Sequence, residues 1–445
     1  MTTTGSLWRH RDFGHLWAAE TVSQVGTQVT QLALPVLAVG VLAATPLQMG
    51  FLTALETAAF LLIGLPAGAW VDRWRRKRVL VVADLARAAV LATVPLAWAL
   101  DALTLGQLFV VAAVAGTATV FFDVAYQSYL PTLVDRDQIV DGNGKLEASR
   151  AVAQVAGPGA GGVLLRVLGA PWLLLVDSVS FLLSAVLLGG IRQPDVVPER
   201  ATRRPLRTEI AEGLSFVVRH PLLRRIVACT GTSNLFGSIT STLLVLFALR
   251  ELHLPESTLG LVLSAGAVGG LVGAVTAARV ARWVGAGRTI PLSMLVGIPF
   301  TALVPLAALG APAALLVVSE LGFSWVVVVY NVTQVSFRQR LCPPALLGRM
   351  NASVRFLVFG TMPLGALLGG LLGSWLGVVP ALWVAVGGQV LAAAWVVTSP
   401  LVGMRDLPDE LDAAGPAPDR PVEPAAAATP ELHGPGTLGD PDRAG

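Results

Sequence analysis

Residues 68–80 read GAWVDRWRRKRVL, and this stretch separates two long apolar segments. Five of the six residues from Arg73 to Arg78 are cationic, although charged residues make up only 13% of the 445-residue chain. A soluble chain carries roughly 25% charged residues, whereas 54% of this one is hydrophobic. The composition therefore predicts an integral membrane protein in which the cationic stretch joins two membrane spans.

Twelve segments are long and apolar enough to cross a bilayer, which takes about 20 residues per helix. They are apolar on every side and lack the alternation of a β-barrel strand, and lipid offers no partner to a free backbone donor. The fold class is therefore all-α, with twelve transmembrane helices. The predicted spans are 15–40, 47–70, 79–100, 104–128, 147–169, 171–191, 223–249, 257–282, 289–309, 312–337, 350–376 and 379–402.

Lysine and arginine lie almost entirely on one side of these spans. The loops on the side of Arg73 carry 23 of them, against only Arg166 and Arg250 on the other side. Short loops rich in these residues stay in the cytoplasm, which predicts a protein of the cytoplasmic membrane with both termini inside. The first apolar segment is as long as a span and lacks a small-residue cleavage site, so we expect it to stay as helix 1.

A basic, proline-containing segment separates the sixth span from the seventh and divides the chain into two halves of six spans. From residue 405 onward the chain is rich in Pro, Ala, Asp and Glu, a composition that predicts disorder. The predicted organisation is a six-helix bundle over 1–191, a cytoplasmic linker over 192–222, a second six-helix bundle over 223–404 and a cytoplasmic tail over 405–445.

Polar residues form a stripe along each of four predicted helices. On span 1, Glu20, Gln24, Gln28 and Gln31 follow one another at helical spacing and share one face. Lipid would penalise such a stripe, so we expect the four stripes to face a shared interior or a water-filled cavity. For any one stripe, hydrogen bonding between helices is the alternative. The other stripes are Thr119, Asp123, Tyr126 and Gln127 on span 4, Asn234, Ser238 and Ser241 on span 7, and Glu320, Ser324, Asn331 and Gln334 on span 10.

Two glutamates on these stripes, Glu20 and Glu320, are the best candidates for proton carriers. Each shares its stripe with neutral polar residues and with no basic residue. A carboxyl group that is desolvated in this way can load and release protons. Glu56 on span 2 and Asp177 on span 6 are weaker candidates, because their helices carry less polar stripes.

The arrangement of six spans, a linker and six spans, with GAWVDRWRRKRVL after span 2, resembles the major facilitator superfamily over residues 10–402. The GPGAGG stretch at 157–162 resembles a motif of proton-coupled exporters; its residues include Gly157, Pro158, Gly161 and Gly162. Its alternative role is close helix packing. Three further segments resemble the branch that contains macrolide and siderophore exporters: DLARA at 84–88, VDSVSFLLSA at 176–185 and NVTQVSFRQRL at 331–341.

The loop pattern of this superfamily matches Gly68, Asp72, Arg73, Arg76 and Lys77, with Arg75 where a glycine is usual. The resemblance implies that Asp72 sits by the N-terminus of helix 11, where a carboxylate gains about 0.3–1 kcal/mol. It also implies that Arg76 pairs with Asp123, so that the trio latches the outward-facing state. The alternative is that the cluster only fixes the orientation in the membrane.

Two classes of function fit a polytopic membrane protein. The first is a secondary transporter, which the resemblance specifies as a proton-driven exporter of amphipathic small molecules. The second, a membrane-embedded enzyme or lipid-modifying protein, would need a nucleophile with its base, a metal cluster or a nucleotide loop, and no such motif is found. We therefore expect no enzyme activity, no cofactor and no metal. Within transport, a facilitator or importer of small polar solutes stays open.

The partners that follow from this reading are a small-molecule substrate, protons and the lipid bilayer, with no nucleic acid. The superfamily default is a monomer.

Overall fold

The structure is a computed structural model that describes residues 7, 10–71, 73–135, 138–193, 206–342 and 346–405. Every regular element among these residues is a helix, which confirms the all-α prediction for this part of the chain. The helices are α1 (Arg11–Gly40), α2 (Pro46–Leu62), α3 (Gly64–Val71), α4 (Arg76–Ala99), α5 (Leu105–Leu133), α6 (Ile139–Leu168), α7 (Ala170–Gly189), α8 (Leu206–Arg219), α9 (Pro221–Leu246), α10 (Glu256–Val284), α11 (Ala286–Leu306), α12 (Pro312–Leu341), α13 (Leu347–Phe359), α14 (Thr361–Trp375) and α15 (Val378–Val397).

Ten helical segments in the described ranges are long and apolar enough to cross a membrane, and each coincides with a predicted span. One of them, Arg349–Trp375, comprises α13 and α14. Two predicted spans are outside this set. The span 15–40 falls on the 30-residue helix α1, which carries a polar stripe. The span 47–70 is divided into α2 and α3, because the helix is interrupted at Ile63. The number twelve therefore stays a prediction.

The helices pack as neighbours within each half of the chain. In the first half, α1 packs against α6 and α7, and α4 packs against α5 and α7. In the second half, α9 packs against α14 and α15, and α12 packs against α10 and α11. Large apolar side chains such as Leu32, Leu37 and Phe181 fill the core between them. Because lipid is as apolar as these side chains, close packing rather than the hydrophobic effect holds such helices together.

The two halves meet where α2 crosses α14 and where α6 crosses α10. Both crossings pass through pairs of glycines. A Cβ built on Gly50 would lie 2.9 Å from Cα of Gly370, and one built on Gly162 would lie 2.9 Å from Cα of Gly260. The missing side chains let the backbones approach. Gly162 thus serves the packing alternative for GPGAGG, while the exporter-motif role stays a prediction.

We call the end of the helices that carries Arg73, Arg225 and Arg340 the basic end. Both glycine crossings lie toward the opposite end. Gly50 follows the start of α2 and Gly370 precedes the end of α14, while Gly162 is near the end of α6 and Gly260 near the start of α10. At the basic end, α8 packs against α13. The predicted linker over 192–222 therefore includes a helix.

Three sequence predictions fall wholly or partly on residues outside the described ranges. They concern Asp72 of the latch, 194–205 of the linker and 406–445 of the tail.

Candidate functional site

Glu20 on α1 is 3% exposed and lies inside the first half. Its Oε1 accepts a hydrogen bond from Nε2 of Gln24 at 2.7 Å, so these two residues of the predicted stripe meet one turn apart. Nη2 of Arg150, on α6, lies 3.8 Å from the same oxygen. Oε2 of Glu20 is buried without a hydrogen-bond partner among the described residues. This oxygen can take up a proton without breaking an existing hydrogen bond.

Basic and acidic groups on three further helices surround Glu20. Arg87 on α4, Asp123 on α5 and Arg150 on α6 all act on it electrostatically. We call these four residues the charge cluster. Loading a proton onto Glu20 removes one negative charge from this cluster and so weakens the interaction of Glu20 with Arg150 and Arg87. The stripe pattern does not predict Arg87 or Arg150 here, because a periodic pattern reports only one helix face.

Arg87 is held in a fixed position within the first half. It pairs with the buried Asp84, as the spacing of three residues along a helix allows. Its guanidinium carbon lies 4.4 Å from the ring centroid of Phe122 and 4.1 Å from that of Phe181. Cation–π contacts on both sides restrain the guanidinium. Arg87 is thus a static positive charge beside Glu20, whereas Arg150 is less enclosed.

The two weaker candidates have different surroundings. Asp177 on α7 is 1% exposed, and both carboxylate oxygens accept hydrogen bonds. Thr30 on α1 donates to Oδ2, and Oγ of Ser180 donates to Oδ1 at 2.8 Å. Asp177 therefore ties α7 to α1. Glu56 is half-buried on α2, at the point where the α2 backbone approaches Gly116 on α5.

Glu320 lies in the second half, where α12 packs against α10. A Cβ built on Gly266 of α10 would lie 3.0 Å from Oε2 of Glu320 and 3.2 Å from Oγ of Ser324. Unlike Glu20, this half-buried acid forms no ion pair with a described residue. Further along α12, Nε2 of Gln334 donates to Oδ1 of Asn331 at 3.3 Å. Neighbours on this predicted stripe therefore do lie side by side.

The stripe on α9 joins helices. Nδ2 of Asn234 donates to the backbone oxygen of Val358 on α13 at 3.3 Å. Ser238 is buried where Gly365 of α14 passes. For these two residues the alternative of interhelical hydrogen bonding and packing describes the structure better than a shared cavity does.

The remaining predicted cavity residues are distributed over several contacts. Gln28 lies against Gly157 on α6. Gln31 is exposed. Tyr126 stacks on Phe122, with ring centroids 6.2 Å apart.

A cavity of about 310 Å³ lies between α2, α5 and α13. Of the predicted cavity residues, Gln127 lines it, and Arg355 contributes a charge that the stripes do not predict. The guanidinium carbon of Arg355 lies 5.9 Å from the ring centroid of Phe60 and 5.7 Å from that of Phe359, and it forms no hydrogen bond or ion pair with a described residue. The lining residues are Phe60, Gly64, Val120, Val124, Gln127, Asn351, Ala352, Arg355, Phe356 and Phe359.

One signal in the sequence points to Arg355. It lies inside the predicted span 350–376, and an ionisable residue within a span is a functional candidate by default. Arg355 is also counted among the basic loop residues, and that count predicts only the orientation in the membrane.

The predicted latch is only partly described, because Asp72 lies outside the described residues. Nζ of Lys77 donates to the backbone oxygens of Gly189 at 2.9 Å and Ile191 at 2.6 Å, which fixes the start of α4 to the end of α7. A Cβ built on Gly68 would meet open space. The pairing of Arg76 with Asp123 stays a prediction.

The comparison with known families decides the class of protein. The family model described as Major Facilitator Superfamily matches residues 16–362. The chain belongs to this superfamily. It is therefore a multi-pass membrane transporter, and the prediction of a transporter rather than an enzyme is confirmed.

Relatives within the superfamily include named efflux proteins. The multidrug efflux pump Tap of Mycolicibacterium fortuitum is 29% identical over 330 residues, which cover 71% of this chain and 78% of Tap. The enterobactin exporter EntS of Citrobacter koseri is 24% identical over 372 residues, or 82% of this chain and 86% of EntS. These matches agree with the resemblance to drug and siderophore exporters.

The fold also matches solved structures of transporters. A bacterial homologue of the iron transporter ferroportin, crystallised in an inward-facing state, superposes with a TM-score of 0.70. The sequences are 18% identical, and the match covers 87% of this chain and 98% of the homologue. At 18% identity the match shows that the two proteins share a fold and no more.

Proposed function

We propose that this protein exports amphipathic small molecules across the cell membrane in exchange for protons. It does so by alternating access between two halves of six helices, as a monomer with both termini in the cytoplasm. The observation that carries the proposal is Glu20, a buried acid with one oxygen that has no hydrogen-bond partner among the described residues and a basic group 3.8 Å from the other oxygen. The direction of transport rests on the relatives, since Tap is named an efflux pump and EntS an exporter.

The conformation supports alternating access. At the end opposite the basic end, the halves touch at Gly50 and Gly370 and at Gly162 and Gly260. Nη2 of Arg250, in a π-helical turn after α9, also donates to the backbone oxygen of Val39 on α1 at 2.9 Å. With the basic end in the cytoplasm, these contacts close the outer side. The latch formed by Asp72, Arg76 and Asp123 belongs to the opposite, outward-facing state.

The cavity between α2, α5 and α13 is the substrate site that we propose. Its volume of about 310 Å³ is at the lower end of the range for ligand pockets. The rings of Phe60 and Phe359 stack with centroids 6.2 Å apart and suit an aromatic or other apolar body. Arg355 and Gln127 provide donors for an acceptor oxygen on the substrate.

One coupled proton suffices for useful export. A charge that crosses a potential of about 100 mV releases roughly 2.3 kcal/mol. A tenfold concentration gradient costs about 1.4 kcal/mol. A single carboxyl group such as Glu20 can therefore drive a gradient of between one and two decades.

Transport into inside-out vesicles tests the proposal. Vesicles that contain the protein are given a pH gradient with an acidic lumen and a panel of radiolabelled amphipathic drugs. We expect accumulation of at least one drug, collapse of that accumulation by a protonophore and no accumulation in vesicles without the protein. Uptake of small polar solutes that stops at equal concentrations and does not change with the protonophore would instead support the facilitator alternative and contradict proton coupling.

A further inference from the structure

A second cavity, of about 820 Å³, lies between α4 and α5 on the surface of the helix bundle that faces lipid. We call it the arginine groove. Its floor consists of small apolar side chains, among them Ala83, Ala86 and Ala113, and its lipid-facing edges include Val82 and Val114, which are 56% and 38% exposed. The full lining is Arg73, Trp74, Arg75, Arg78, Val79, Val82, Ala83, Ala86, Ala113, Val114, Thr117, Ala118 and Phe121.

Three arginines surround the mouth of the arginine groove at the basic end. Arg73, Arg75 and Arg78 are all exposed, and none forms an ion pair with an acidic side chain of the described residues. Arg73 belongs to the loop pattern of the superfamily, and the proposed latch of Asp72, Arg76 and Asp123 assigns nothing to Arg75 or Arg78. Arg75 stands where the loop pattern usually has glycine, so its guanidinium is an addition to that pattern.

Two tryptophans border the same mouth. Trp70 stacks on Phe121 with centroids 6.1 Å apart, and Trp74 lies 5.9 Å from the same ring. Trp74 is 48% exposed. Exposed tryptophan is enriched at the level of lipid headgroups. The mouth of the groove is thus at the membrane surface, and the groove runs from there into the hydrocarbon region.

We propose that the arginine groove binds one anionic phospholipid of the cytoplasmic leaflet. The phosphate of the headgroup lies among Arg73, Arg75 and Arg78, and an acyl chain occupies the floor between α4 and α5. Charge complementarity selects the headgroup, because clustered arginines at the cytoplasmic surface attract anionic lipids. The apolar floor suits a lipid acyl chain better than a water-soluble anion.

The proposal rests on the proposed orientation of the basic end, but its test does not require transport. Purified protein in detergent is titrated with phosphatidylglycerol, and bound lipid is counted by native mass spectrometry. Phosphatidylcholine with the same chains tests the headgroup charge, and glycerol phosphate tests the need for acyl chains. We expect one tight phosphatidylglycerol site that neither competitor removes.

Variants locate the site. Arg75→Gln combined with Arg78→Gln should weaken phosphatidylglycerol binding by about tenfold or more. The matched control is Arg279→Gln with Arg282→Gln, which removes two exposed arginines from α10 at the same end and should change the affinity less than twofold. Val82→Trp fills the exposed edge of the groove and keeps all three arginines, so it should also weaken binding.

Several results would overturn the proposal. One is equal affinity of the Arg75/Arg78 variant and the parent protein. If the α10 control weakens phosphatidylglycerol binding equally, the arginines contribute only general charge attraction. If glycerol phosphate displaces the lipid, the groove is an anion site that does not need acyl chains. Thermal melting of each variant separates loss of lipid from loss of fold. A protein that binds the lipid but fails to export would contradict the proposed function and leave this inference standing.

Discussion

Nη2 of Arg150 on α6 lies 3.8 Å from Oε1 of Glu20 on α1, so a basic group from a second helix faces a buried acid. The distance fits a loose ion pair rather than a tight hydrogen bond. Arg150 also acts on Asp123 of α5. When Glu20 takes up a proton, Arg150 loses one of its two acidic partners and Asp123 remains. Arg150 therefore interacts with both acids, and protonation of Glu20 leaves Asp123 as the ionised one of the two.

Glu20→Gln should abolish proton-driven export and preserve counterflow exchange. The amide keeps the shape and can still bond to Gln24, but it cannot titrate. Export driven by a pH gradient and counterflow of labelled substrate are measured in the same vesicles. Glu147→Gln, which neutralises an exposed acid on α6, is the control and should retain both activities. Normal pH-dependent export by the Glu20 variant would reject its role as a proton carrier.

Glu320→Gln tests whether the second half also carries a proton. Glu320 lies in the second half and forms no ion pair with a described residue, so its variant should lower gradient-driven export without changing the contact between Arg150 and Glu20. The double variant with Glu20→Gln should lose all dependence of export on pH. Asp177→Asn is the contrasting control, since its two hydrogen bonds are structural: it should lower the melting temperature and leave the coupling of the folded protein intact. Normal pH dependence in the double variant would remove both glutamates from the mechanism.

The sequence predicts the helices better than it predicts what they face. Hydropathy locates ten spans, because the length and the apolar character of a span are local properties. The polar stripe on α1 correctly brings Gln24 next to Glu20. The stripe on α9 looks the same in sequence, yet Asn234 bonds to the α13 backbone. A periodic pattern shows that a face avoids lipid, and it does not distinguish a cavity from a neighbouring helix.

The basic residues of the interior show the same limit. Arg150 and Arg355 lie near the ends of predicted spans, where arginines usually only fix orientation. Their roles depend on which helices meet them, α1 for Arg150 and α2 for Arg355. Such pairs join residues far apart in the chain, so no local pattern records them.

Asp72→Asn should shift the protein toward the inward-open state without unfolding it. In the proposed latch the carboxylate is held by the start of the eleventh predicted span, which lies in α13, and an amide would be bound more weakly there. Single cysteines at the basic ends of α5 and α12 report the shift by faster labelling. Asp135→Asn, an exposed acid at the basic end of α5, is the control. Unchanged labelling together with full transport would reject the latch.

Arg355→Gln should raise the KM for an exported substrate by about tenfold, because it removes a charged donor from the proposed substrate cavity. Arg355→Lys keeps the charge but loses the planar group beside Phe60 and Phe359, so it should restore affinity only in part. Arg340→Gln removes an exposed arginine from α12 and should leave KM unchanged. Equal KM values for all three variants would place the substrate elsewhere.

Gly162→Ala should favour the outward-open state, because the added Cβ would lie 2.9 Å from Cα of Gly260 and force α6 away from α10. Overpacking of a close contact costs about 1–3 kcal/mol, which changes a two-state ratio by roughly 5-fold to 140-fold. Ser257→Cys, next to this crossing, should then react faster with a membrane-impermeant maleimide added from outside.

Two features make this last measurement clean. The native thiols, Cys229 and Cys342, are both buried and contribute little background labelling. Gly144→Ala places the same methyl group on the same helix, where a Cβ would meet nothing within 4 Å, and should leave the labelling rate unchanged. Gly260→Ala attacks the contact from α10 and should reproduce the effect of Gly162→Ala. If neither crossing variant changes the labelling while both reach normal expression, the glycine crossing does not close the outer side.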